Sequence, residues 1–143
     1  MKATLKLIPA FCLAAVTSAA AYACPCEQLS VSKAKGRAEV VFVGAVVGSH
    51  RERTAAGFEW RARLSVEQTW KGEERDEFVV YTSGECATPF EAGKKYLVFA
   101  RRQEGRGRLT TDSCMRTTVL EAASEEDLRK LGRAKTRDGK ATR

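Results

Sequence analysis

Histidine is almost missing from this chain. His50 is the only one, set in the polar run Ser49-His50-Arg51-Glu52-Arg53. Histidine is the usual acid–base group near neutral pH, and a Ser-His-Asp or Cys-His site would here depend on this one residue. No nucleophile motif accompanies it. His50 is therefore expected in a loop, and the protein is not expected to be an enzyme. Long apolar runs are also scarce. After residue 23 no segment approaches the roughly 20 apolar residues that span a bilayer. Internal repeats are absent, which argues against a solenoid.

A one-signed body is missing too. The chain carries 25 basic and 18 acidic side chains, for a formal charge of +7. Seven of the basic residues, against one acid (Asp138), lie in residues 129–143, and the stretch between residue 23 and that tail is close to neutral. The basicity belongs to the tail, so no nucleic-acid-binding face and no nucleic-acid partner are expected. Arg101, Arg102, Arg106 and Arg108 form a local basic hairpin around Glu104, read as a solvated loop.

The N-terminus shows what is present. Lys2 and Lys6 precede an apolar stretch from Leu7 to Ala20, which ends at Ala21-Tyr22-Ala23. The stretch is too short for a membrane helix and is followed by small residues suited to cleavage, so residues 1–23 read as a signal peptide. The processed chain would be secreted or periplasmic, and 24–132 would form one domain, with 133–143 a basic disordered tail. Ala21-Tyr22-Ala23 is a poor lipobox; membrane association is expected only if Cys24 is lipidated.

Four cysteines follow the signal: Cys24, Cys26, Cys86 and Cys114. An even number in an exported chain reads as two disulfides. A Cys24–Cys26 bridge would close a very tight ring across Pro25, which leaves two long-range pairings open. Zinc binding by the four is not expected, because Cys-x-Cys departs from the common ligand spacings and an oxidising compartment favours disulfides. No cofactor is expected.

Residues 27–37 read as a short helix or irregular lead-in. Glu39 to Gly48 is a buried strand whose Gly44 suggests a bulge or a close backbone approach. Phe58, Trp60, Ala62, Leu64 and Val66 alternate with polar residues, the period-two pattern of a half-buried strand. This places Trp60 in the core, and Trp70 could cap one end of the domain. Phe78–Thr82, Tyr96–Ala100 and Arg108–Thr111 supply three more strands. Ser124 followed by three acids starts a helix that Gly132 ends. The expected fold is all-β with minor α: a five-stranded OB-fold-like closed or partly open barrel with a C-terminal helix. A β-sandwich is the alternative.

The cysteine order adds to this. Cys24-Pro25-Cys26 precedes Ala38-Glu39-Val40-Val41-Phe42-Val43-Gly44. Then come Ser83-Gly84-Glu85-Cys86, Gly93-Lys94-Lys95-Tyr96-Leu97-Val98-Phe99 and Asp112-Ser113-Cys114. This order resembles the N-terminal domain of the tissue inhibitors of metalloproteinases and the wider netrin-like module, from Cys24 to about Leu131. The resemblance implies an OB-like barrel with Cys24–Cys86 and Cys26–Cys114 bridges. It also implies a monomeric protein-binding module that inhibits a zinc metalloendopeptidase. In that family the first cysteine's free amine and carbonyl chelate the target's zinc, and the next side chain enters the specificity pocket. Cys24 would be the chelator and Pro25 the pocket residue, with Cys26, Ser83, Gly84 and Glu85 on the same ridge. Pro25 replaces the small or hydroxyl-bearing residue usual in the inhibitors. The rival expectation is a non-inhibitory structural or interaction protein of the cell envelope, its basic tail contacting anionic surface polymers.

Overall fold

The run Val40–Val46 is apolar at nearly every position, so a strand built from it must be covered on both faces. The computed structural model describes residues 24–136; the expected signal peptide, 1–23, and residues 137–143 of the expected tail lie outside the described residues. The described chain is mostly β, with two α-helices. Helix α1 (Val31–Arg37) leads into β1 (Val40–Thr54), β2 (Gly57–Lys71), β3 (Glu77–Ser83), β4 (Lys95–Arg102) and β5 (Leu109–Thr110). Strand β6 (Thr118–Val119), helix α2 (Glu125–Leu131) and strand β7 (Lys135–Thr136) follow.

Five of these strands form a ring in the order β1-β2-β3-β5-β4, with β4 pairing back onto β1. The β3–β5 pair is parallel and the other ring pairs are antiparallel. Alternation then divides the apolar run between two cores. Val40, Phe42 and Val46 point inward with Leu64, Val80 and Val98. Val41 and Val43 point outward with Leu97 and Phe99, beneath Val31 and Ala34 of α1 and Leu131 of α2. Each large apolar side chain buried in this way stabilises the fold by about 1.5–3 kcal/mol.

Local signals explain the element ends. The Ser30 hydroxyl accepts from the Lys33 N–H and starts α1. The Ser124 hydroxyl does the same for the Asp127 N–H at the start of α2, which ends at Gly132 with φ 82°. Gly44 meets both expectations placed on it. The β1–β2 register shifts between Val43 and Gly44. A Cβ there would stand 2.9 Å from the Ser65 carbonyl oxygen, so the two backbones approach closely only because that Cβ is missing.

Three expectations are corrected. His50 lies within β1 rather than in a loop, because β1 runs on beyond its pairing with β4 while staying paired with β2, in a register that joins His50 to Arg61. Trp60 is half-buried on that hairpin and does not join the core, and Phe58 is 47% exposed. Their alternation is strand-like, but β4 pairs with β1 only from Val40 to Ala45, and beyond it the Arg51 guanidinium lies over both rings. The ordered body also runs past residue 132. Ala134 is buried, Lys135 and Thr136 pair with Thr69 and Gln68 of β2, and Lys135 Nζ lies 2.7 Å from Glu74. Trp70 is partly buried against the outer core, and its indole N–H donates to the Gly132 carbonyl.

Candidate functional site

Residues 24–30 precede the first helix and have no regular structure of their own, so their position depends on what ties them down. Cys24 is bonded to Cys86 and Cys26 to Cys114, with Cα separations of 5.3 and 5.8 Å. This is the pairing that the resemblance implies. Two disulfides point to an oxidising, extracytoplasmic setting. Among the described residues no helix is long and apolar enough to cross a membrane.

The bridges anchor to loops that are themselves fixed. Cys86 follows β3, and its carbonyl accepts from both the N–H and the hydroxyl of Ser113. Asp112 caps the single turn Ser113–Met115 by accepting from the Met115 N–H. Further along, the Arg116 guanidinium donates to the Leu29 carbonyl and pairs with Asp127 of α2. The lead-in is therefore held at Cys24, Cys26 and Leu29.

Between the two cysteines, the Cys26 N–H donates to the Cys24 carbonyl at 2.8 Å. A bond from residue i+2 back to i is a γ-turn. Its inverse form needs a central φ near −75°, close to the value that a proline ring imposes. Pro25 thus favours the turn it occupies. The Cys24 carbonyl keeps a second lone pair. Pro25, Ser83, Gly84 and Glu85 are all exposed, while Cys24, Cys26 and Cys86 are half-buried beneath them. The Cys24–Cys86 bridge joins the lead-in to the residue that directly follows Ser83-Gly84-Glu85.

Ser83 pairs with Glu59 of β2 at the base of the projecting hairpin. A polar pocket of about 170 Å³ opens there, lined by Glu59, Ser83, Arg101, Arg108 and Asp112 among others. A second, of about 220 Å³, is lined by Cys26, Arg37, Arg101, Asp112 and Cys114 among others. The basic hairpin expected to be solvated is divided in its roles. Arg108 is tied to both carboxylate oxygens of Glu59 and lies over the Tyr81 ring, and Arg102 pairs with Glu39. Arg101 has no ion pair among the described residues and lines both pockets. Sequence reasoning placed Arg101 in a solvated basic hairpin and gave no signal that it would lie beside Cys26 and Cys114.

His50 is brought to none of this. It stands exposed on the hairpin with its Nε2 3.5 Å from Glu52. Lys94, in the loop before β4, has its pKa raised by its hydrogen bond and charge attraction to Glu91. A roomier pocket than either, about 500 Å³ beside Trp70 and Leu128, is remote in sequence from Cys24-Pro25-Cys26.

No protein-family model matches this chain, and no curated protein matches it.

Proposed function

We propose that this protein is an exported binding module of the tissue-inhibitor and netrin-like type. Its ridge would block a zinc metalloendopeptidase through the amine and carbonyl of Cys24. The observation that carries the reading is the convergence of both bridges on Cys24-Pro25-Cys26, with Pro25 exposed and Cys24 bonded to the cysteine that follows the exposed Ser83-Gly84-Glu85. A neutral amine and a carbonyl oxygen are suitable donors for the open positions of a catalytic zinc. A segment ordered before it meets its target loses little further freedom on binding. The ring order β1-β2-β3-β5-β4, closing on β1, supports an OB-like barrel as the scaffold.

The test is inhibition of a panel of zinc metalloproteases by protein that begins at Cys24. Acetylating the amine, or adding one alanine before Cys24, should abolish inhibition, since both remove the donor from the end of the wedge. If the unmodified protein slows none of the panel, the reading fails.

One observation favours a second reading, an envelope protein that contacts anionic surface polymers. The projecting hairpin presents exposed Arg51 and Arg53 around an exposed Phe58, which gives a polyanion a cationic contact apart from the tail. Retention on an acidic polysaccharide that falls with salt and is lost in Arg51→Ala/Arg53→Ala would support it.

A further inference from the structure

The two bridges are not separate staples. The Sγ of Cys24 lies 3.7 Å from that of Cys26 and 3.5 Å from that of Cys114, although it is bonded to neither. All four sulfurs fall within 4.8 Å of one another. A tetrahedral zinc with Zn–S bonds of about 2.3 Å has its sulfurs about 3.8 Å apart. The two distances from Cys24 to the other bridge are therefore already close to those of a four-thiolate site, and those from Cys86 are no more than 4.8 Å. Only the two bonded pairs would have to separate, and rotation about their Cα–Cβ bonds can supply that movement.

We infer that the reduced form of this protein binds one Zn²⁺ through Cys24, Cys26, Cys86 and Cys114, in place of the two disulfides. The inference does not depend on the protease reading. Non-covalent ties that do not involve sulfur support the cluster. Ser113 holds the Cys86 carbonyl, the turn across Pro25 joins Cys24 to Cys26, and Arg116 holds Leu29. On reduction, Cys86 stays tied to the neighbour of Cys114, and the lead-in keeps its tie at Leu29. Arg37 and Arg101 line the pocket that Cys26 and Cys114 share, and their positive charge opposes the −2 of a zinc–tetrathiolate centre. The sequence spacing argued against a metal, but spacing describes only ligands on one loop. Here the ligands come from three segments.

The chemistry balances with a dithiol as reductant. Each bridge takes two electrons and two protons from one dithiol, which is itself oxidised to a disulfide. The four resulting thiols release four protons as four Zn–S bonds form. The site would serve a chain that meets zinc before its cysteines are oxidised, or one that a dithiol reopens.

The test uses the processed chain, reduced with a phosphine without oxygen and titrated with Co²⁺ alone. The expected result is one Co²⁺ per chain, with the visible bands of a tetrahedral ion and a thiolate charge-transfer band, both displaced by Zn²⁺. One equivalent of Zn²⁺ should also slow alkylation of all four thiols together, read by intact mass on the unmutated protein. The near-UV circular dichroism of the zinc form should match that of the oxidised protein. Cys24→Ser/Cys86→Ser and Cys26→Ser/Cys114→Ser should each lose the tetrahedral spectrum. An octahedral spectrum, two ions per chain, protection of only two thiols, or a zinc form without near-UV signal would each overturn the inference.

Discussion

Two segments leave the core of this molecule beside the same loop, and they are held in opposite ways. The lead-in around Cys24-Pro25-Cys26 buries little apolar surface and is fixed covalently at two points. The tip of the β1–β2 hairpin, from His50 to Phe58, is fixed by its own strand pairing and by the Arg51 guanidinium 4.2 Å above the Phe58 ring. A β-pair carries its order outward because each residue added brings hydrogen bonds to its partner. An irregular segment has no such partner, so a bridge has to replace one. The difference separates a segment held by covalent links from one held by strand pairing.

Both segments rest on the ring interior, so a cavity there sets the scale. Phe42 is fully buried inside the ring and packs on Phe78, with aromatic ring centroids 4.8 Å apart. Phe42→Ala should lower stability by about 3–5 kcal/mol in guanidinium unfolding. Deleting one staple comes next. Cys26→Ala/Cys114→Ala opens a link spanning 88 positions and should lower stability by about 2–5 kcal/mol. Amide exchange should then rise over residues 24–29 but stay unchanged in the hairpin. If exchange rises equally in both, the two segments are not held independently.

Gly44→Ala tests the close approach on which the hairpin's register depends. The added Cβ would meet the Ser65 carbonyl oxygen at 2.9 Å, and overpacking of this kind costs about 1–3 kcal/mol. The smallest effect is expected at the hairpin tip itself. Phe58→Ala removes an exposed ring and should change stability by less than about 0.5 kcal/mol in the same unfolding measurement. A loss near 2 kcal/mol would mean that the hairpin tip is part of the core after all.

Much of the fold was legible because it follows from local periodicity. The continuous run Val40–Val46 signals a strand covered on both faces, and Ala62, Leu64 and Val66 signal one with a single buried face. Ser124 and Gly132 bracket α2 as expected. Trp60 and Phe58 were misjudged because alternation reports which side of a strand a residue lies on, not whether anything covers that side. His50 was misjudged because its polar neighbours look like a loop, yet two polar strands can pair with each other beyond the core. The ridge residues were legible as a cysteine order, while Arg101 was not, since its place depends on where β4 ends relative to Cys114.

Sequence alone determined the five ring strands, the start of the C-terminal helix and the even set of four cysteines, because each depends on side chains a few positions apart. Only the tertiary structure decided which cysteines meet, how far β1 and β2 outrun the ring, and that all four sulfurs share one cluster. Those outcomes depend on ring closure, which brings together residues that lie 62 and 88 positions apart and that no local pattern relates.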